Sequence, residues 1–375
     1  MKKYFTGLLG ILILWIVGIG CNDHAIEKEI KNFVQTQERY VQERQIEDYM
    51  NTISKKETEY VAEKQSWIRD IQNNAIKDYR LEIKEMNILN KEKVTVNVIQ
   101  SYKYQGQYYE MQIPLVLIKE NGHWKDHDLM FEEIETKHFK IKYDAQSKAY
   151  AQSVAKICEK AYGNVFRRYG ETVAAPITIK IYQDRERLRQ SVKLSFTWQF
   201  AGWYEYPESI KTTQFNDEGT YKDILEHELI HKLTIQKSNN NLPYWFTEGL
   251  AVYFGDFPDE PFEYRSKEYY LNTYKDQWMN IEKLESKNLE KMKDHEEISN
   301  YYDSAGMIVK FMIESYGLEK VKQIVEALGK YPYQKGTGVE VDQKSIQRFH
   351  EVVPAVLGID VKKLDKQWEK YLQIQ

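Results

Sequence analysis

Apolar residues recur along this chain at two different periods, and the change of period divides it. From residue 23 to about residue 80 the pattern is helical: Ile26, Ile30, Phe33 and Val34 fall three or four apart, and Tyr49, Met50 and Ile53 continue it. From Tyr79 the period drops to two. Leu81, Ile83 and Met86 precede Val94, Val96 and Val98, then Tyr102 and Tyr104. The segment from Tyr108 to Ile118 follows Gly106, and Asn121-Gly122 marks a tight turn before Trp124. Helices followed by a run of antiparallel strands predict an α+β domain, here 21–135.

A second pattern opens near Thr136. His138 to Tyr143 alternates like a strand, and a helix is expected from about Gln146 to Tyr169, where Gly170 ends it. Ile177 to Tyr182 is the clearest strand of the chain. Asp184 to Lys193 reads as a short helix, and Phe200–Tyr204 and Ile210–Phe215 read as short strands. Thr220-Tyr221-Lys222-Asp223 fits a capping box at the start of the next helix. Beyond it, Leu318–Leu328, Ser345–Leu357 and Val361–Leu372 carry helix-spaced apolar residues, separated by Gly329, Gly336, Gly338 and Gly358. The second domain, 136–375, is therefore α+β with a helical C-terminal part.

Composition adds mainly exclusions. The 375 residues suffice for two domains with their own cores, and 29 Tyr, 14 Phe and 8 Trp speak against disorder. A net charge of −4 with interspersed signs offers no basic surface for nucleic acid. At the N-terminus, Lys2 and Lys3 precede an apolar run from Leu8 to Ile19, shorter than the roughly 20 residues that span a bilayer. Small residues then lead into Cys21. This end resembles a bacterial lipobox, with Gly18 where leucine is usual. The resemblance implies a signal peptide over 1–20, a lipid on Cys21, and a membrane-anchored chain on the extracytoplasmic face. An uncleaved anchor would leave the chain on the same side. Cys158, in a helical apolar pattern with Ala155, Ile157 and Ala161, reads as a buried thiol.

The chemistry is concentrated in His227-Glu228-Leu229-Ile230-His231 and, seventeen residues on, Glu248. Two imidazoles four residues apart share one helix face, away from Leu225, Leu229 and Leu233, and Glu228 is placed to deprotonate a water on a metal between them. A lone match of this kind arises by chance in roughly one such chain per hundred. Glu248 lies in Pro243-Tyr244-Trp245-Phe246-Thr247-Glu248-Gly249-Leu250-Ala251, where a carboxylate among aromatic and apolar residues needs a compensating partner. Zinc suits this two-histidine, one-carboxylate set. His123 and His127 lack a third ligand in sequence and are expected as exposed loop residues.

The combination His-Glu-x-x-His, a spacer, then Pro-x-Trp-x-x-Glu-Gly-Leu-Ala resembles the gluzincin peptidases, in particular the peptidase-MA-like metallohydrolases of bacteria. The resemblance covers residues 136–375 and implies that His227, His231 and Glu248 hold Zn2+ while Glu228 is the general base. No Gly-x-Met-Glu-Asn signature precedes the motif. In similar enzymes a downstream tyrosine steadies the oxyanion. Tyr302, counted back from Tyr316-Gly317, fits that place, and packing is the rival reading; His295 competes for the same role. An edge strand at Phe200–Tyr204 or Thr212–Phe215 would pair with peptide, with Trp203 and Tyr204 as contacts or as core aromatics. The N-terminal pattern resembles the nuclear transport factor 2-like fold, a small helix-plus-curved-sheet module. The function expected is hydrolysis of peptide or protein substrates. The rivals are a zinc-dependent hydrolase of a non-peptide envelope amide and a non-catalytic binding lipoprotein.

Overall fold

The computed structural model describes residues 7–255 and 266–373, with side chains from Asp23 onward apart from Asp276. The signal peptide expected over 1–20 and the lipid attachment at Cys21 lie outside the side chains so described. Among the described residues no helix is long and apolar enough to cross a membrane. The chain forms two units: residues 1–131 with Lys193–Ser195, and residues 132–192 with 196–375.

The first unit begins with helices α1 (Gly7–Gln42), α2 (Ile46–Asn51) and α3 (Thr58–Asn73). An antiparallel sheet follows in the order β1 (Lys77–Asn90), β2 (Lys93–Tyr104), β3 (Gln107–Glu120), β4 (His123–Leu129). Alternation does what the sequence pattern requires. Val94, Val96 and Val98 turn to one face, opposite Leu117, Leu115 and Ile113, and meet Ile26, Ile30 and Val34 of α1. Asn121 and Gly122 both take positive φ, so the β3–β4 connection is the tight turn that Asn-Gly specifies. His123 and His127 lie on β4 rather than in a loop. His127 is half-buried, with Nδ1 3.2 Å from Ser54 Oγ.

The second unit is built on a five-stranded sheet ordered β5 (Glu132–Glu135), β6 (Phe139–Tyr143), β7 (Ile177–Tyr182), β9 (Ile210–Thr213), β8 (Gly202–Trp203). The three central strands are parallel, and the two edge strands run antiparallel to their neighbours. Every residue of β7 is buried, as expected of a parallel strand covered on both faces. Helix α4 (Lys148–Tyr169) lays Ala151, Val154, Cys158, Ala161 and Val165 on the core, and burial pushes the Cys158 thiol well up. α5 (Arg185–Val192) lies between β7 and β8, and after β9 the described elements are helical: α6 (Glu218–Lys237), α7 (Tyr244–Phe254), α8 (Lys267–Tyr274), α9 (Ile281–Glu285), α10 (His295–Tyr316), α11 (Leu318–Leu328), α12 (Gly338–Leu357) and α13 (Val361–Gln373).

Two helix starts differ from the sequence expectation. α6 begins earlier, because Asp217 is its cap: its carboxylate accepts from Thr220 N at 2.6 Å. α12 begins at Gly338 rather than Ser345, because Thr337 and Glu340 form a capping box that outweighs the neighbouring glycines.

Candidate metal centre

Three helices supply the chemistry. On α6, Leu225, Leu229, Ile230 and Leu233 enter the core, and this fixes His227 and His231 on the other side. Their rings stand edge to face with centroids 4.6 Å apart. α7 follows Pro243, and its first amide, Tyr244 N, donates to Asp342 Oδ1 at 2.7 Å. That helix carries Glu248 inward between Trp245, Phe246, Leu250 and Ala251, all buried. α10 crosses behind α7 and brings Tyr302 to the cleft.

The imidazole Nε2 atoms of His227 and His231 lie 3.4 and 3.3 Å from the same oxygen, Glu248 Oε2. Among the described residues these three side chains are the one set able to hold a metal ion, with ligand atoms all within 4.8 Å of one another. Glu248 Oε2, Glu228 Oε2 and His231 Nδ1 are buried without a hydrogen-bond partner. Buried polar atoms are rarely left so, and a cation between the two imidazoles and the carboxylate satisfies the inward-facing oxygen. The residues present therefore fit a metal, and two nitrogens with one carboxylate oxygen suit zinc.

The two carboxylates are driven apart electrostatically. Burial, helped by the nearby Glu248 charge and opposed by His227, raises the Glu228 carboxyl to about 8. Burial would raise Glu248 too, but His231 and His227 together outweigh it and hold the group down at about 2. One carboxylate thus stays an anion while its neighbour exchanges a proton near neutrality, which is how one site divides ligand and acid–base roles. Burial and the same two carboxylates push the Tyr302 hydroxyl well up, so it remains a donor.

Tyr302 lines the cleft, with its ring centroid 6.4 Å from that of His227. His295 is exposed at the first position of α10, seven residues or roughly 10 Å along the helix from Tyr302, and does not line the cleft. Of the two candidate peptide-binding strands, β9 is interior: β7 and β8 flank it, Thr212 and Thr213 are buried, and Thr212 Oγ1 is bonded to Tyr221 OH. The edge belongs to β8, shortened to Gly202–Trp203, and Trp203 and Tyr204 line the cleft while Tyr204 also joins the core.

Sequence reasoning missed Gly202. A Cβ there would lie 2.5 Å from Glu228 Oε1 and 2.9 Å from Ile224 Cγ2, so the backbone of β8 closes directly over the carboxylate. Gly249 is a second such contact: its Cβ would meet the Ala305 carbonyl oxygen at 2.5 Å, so this glycine lets α7 and α10 approach. A third missed feature is Asn239-Asn240-Asn241 after α6. Their side-chain amides donate to the carbonyls of Gly329, Gln334, Gly336 and Pro332 and hold the α11–α12 loop against the cleft.

A family model described as the Peptidase MA superfamily matches residues 158–374, more than half of the chain. No curated protein matches it. Among solved structures, native leukotriene A4 hydrolase from Saccharomyces cerevisiae is similar at a TM-score of 0.40 and 12% identity, covering 78% of this chain and 59% of that one. A second structure of the native yeast hydrolase gives 0.36 and 10%, covering 76% and 44%. The chain thus spans less than two thirds of the length of either protein, and likenesses this loose assign no residue a role.

Proposed function

The chain belongs to the Peptidase MA superfamily, and from that premise we propose that this metallohydrolase cleaves peptide bonds at the outer face of the cytoplasmic membrane, using zinc held by His227, His231 and Glu248. One observation carries the reading. Two imidazoles converge on one buried carboxylate oxygen in a cleft, with a second buried carboxyl, Glu228, one residue from the first histidine.

Bound to these three side chains, zinc supplies Lewis acidity toward water and toward a substrate carbonyl. Proton movement belongs to Glu228. Raised to about 8, its carboxylate is basic enough to take a proton from the attacking water and return it to the departing amine. Tyr302, kept protonated, is available to donate to the carbonyl oxygen as it becomes an oxyanion when water adds to the carbonyl carbon. The backbone at Gly202 closes over Glu228 from the sheet edge and holds its carboxyl in the cleft.

Placement at the membrane is supported by Lys2-Lys3, the apolar run and the small residues before Cys21. The hydrolytic reading is tested by measuring metal per chain and cleavage of a random peptide pool. The expected result is one zinc, lost in His227→Ala, and cleavage that Glu228→Gln abolishes. Zinc bound with no cleavage of any peptide would favour a non-peptide amide or a binding role instead.

A further inference from the structure

One side chain of α7 faces the metal centre without a part in metal binding or proton transfer. Tyr244 stands four residues before Glu248, one helical turn, so the two side chains share a face of the helix. Trp245 and Phe246 are buried in the core, whereas Tyr244 is half-buried and lines the cleft with His227, His231, Glu248 and Tyr302. Its position is fixed twice over. Asp342 holds the backbone amide, and the ring lies against Gly338 at the start of α12, where a Cβ would come within 2.8 Å of Tyr244 Cδ2. The hydroxyl takes no part in holding the fold, for among the described residues it has no hydrogen-bond partner. Thr247, the other hydroxyl that α7 brings to the cleft, donates instead to the Pro243 carbonyl at 3.1 Å. Burial, with the charges of Glu290 and Glu248, pushes the Tyr244 hydroxyl well up, so it remains a donor.

We infer that Tyr244 is a substrate-binding residue whose hydroxyl donates to a backbone carbonyl of the bound peptide, one or two residues from the scissile bond. The inference rests on the peptidase reading and adds a contact to that site. Helix and strand geometry give the distance along the substrate. One turn of α7 rises about 5.4 Å, and helix side chains lean toward the N-terminus, so Tyr244 reaches along the cleft beyond Glu248. An extended chain advances about 3.3 Å per residue, which puts a neighbour of the cleaved residue within its reach. The need for such a donor comes from β8. That edge strand offers only Gly202 and Trp203 to an incoming chain. Carbonyls alternate in direction along an extended chain, so those turned away from β8 give up water in the cleft without gaining a ladder partner. A neutral hydroxyl offsets that loss and is indifferent to the substrate's side chains.

The test separates binding from turnover. Zinc-loaded Glu228→Gln protein, which lacks the base, is titrated by calorimetry with a blocked pentapeptide of alanine, rich in backbone carbonyls and poor in side chains. Tyr244→Phe in the same background keeps the ring against Gly338 and removes only the hydroxyl. It should bind the peptide about threefold to tenfold more weakly, the worth of one neutral hydrogen bond, with one zinc per chain retained. Replacing the peptide's amides one at a time by trans-alkenes locates the partner. One replacement should cost the parent protein a similar factor and the Phe variant nothing, a coupling that altered folding alone would not produce. Equal affinity of the two proteins overturns the inference, as do a loss without such coupling and a failure of the parent protein to bind. For one peptide cleaved from the pool, Tyr244→Phe should raise KM, whereas Tyr302→Phe should lower kcat. A fall in kcat alone for Tyr244→Phe would place its hydroxyl on the reacting carbonyl and also overturns the inference. Absence of all cleavage bears on the peptidase reading, whereas the coupling still decides this one.

Discussion

At the residue scale, catalysis of the proposed kind depends on how closely Glu228 is held. Its carboxyl is buried, raised to about 8, and covered by the one residue type that leaves room for it, Gly202. In Gly202→Ala a methyl group would stand 2.5 Å from Oε1, so either the carboxylate turns away or β8 moves. His227, His231 and Glu248 are untouched by that change. Metal content should therefore remain at one per chain while kcat falls by about tenfold or more, the scale expected for a displaced general base. Unchanged kcat would show that Glu228 does not need this position. The cluster of His227, Glu228 and His231 was legible in the sequence because their spacing on α6 is itself the geometry, and Glu248 on α7 stood out as a carboxylate in an apolar run. Gly202 was not, since its role exists only where β8 crosses α6, and nothing near it in the chain marks that crossing.

At the scale of elements, the centre depends on contacts between helices more than on any one helix. α7 delivers Glu248 and α10 delivers Tyr302, and they meet at Gly249 and the Ala305 carbonyl. Gly249→Ala should force the pair apart and destabilise the protein by about 1–3 kcal/mol, the usual cost of overpacking. A urea melt would measure it, with weaker zinc retention as the accompanying sign. A variant as stable as wild type, with metal equally tight, would contradict this account of the Glu-Gly pair. Helix periodicity located α11 at Leu318–Leu328 with its observed bounds. It failed where local chemistry competes with pattern. Asp217 caps α6 three residues ahead of the expected Thr220, and the Thr337–Glu340 box starts α12 among glycines that read as breakers. Strand β8 kept only two of five expected residues. Phe200 packs instead against Phe196, Trp198 and Trp203, and Tyr204 joins the core, a tertiary demand that β-propensity does not register.

For the whole molecule, the order of helices, sheet, second sheet and closing helices follows the two changes of period in the sequence. Each unit has its own buried clusters. The anchoring proposed above is a property of the entire chain, and that proposal rests on Cys21. A single cysteine lipid site predicts that Cys21→Ser protein leaves the membrane fraction or loses incorporation of a labelled fatty acid, with hydrolysis by the released chain retained. Unchanged labelling in that variant would contradict the lipid anchor. What the sequence could not supply is substrate preference, because residues as far apart as Trp198 and Gly338 meet around the cleft only in three dimensions.

The central claim is that Glu228 drives water-mediated peptide cleavage at a zinc held by His227, His231 and Glu248. Its most direct test compares wild type and Glu228→Gln, each loaded with zinc, for cleavage of one peptide pool followed by mass spectrometry. The expected result is one zinc per chain in both proteins, cleavage by the wild type, and cleavage reduced at least a hundredfold in the variant, roughly the lower scale for loss of a general base. Equal cleavage by the two proteins, or none by zinc-loaded wild type, would contradict it.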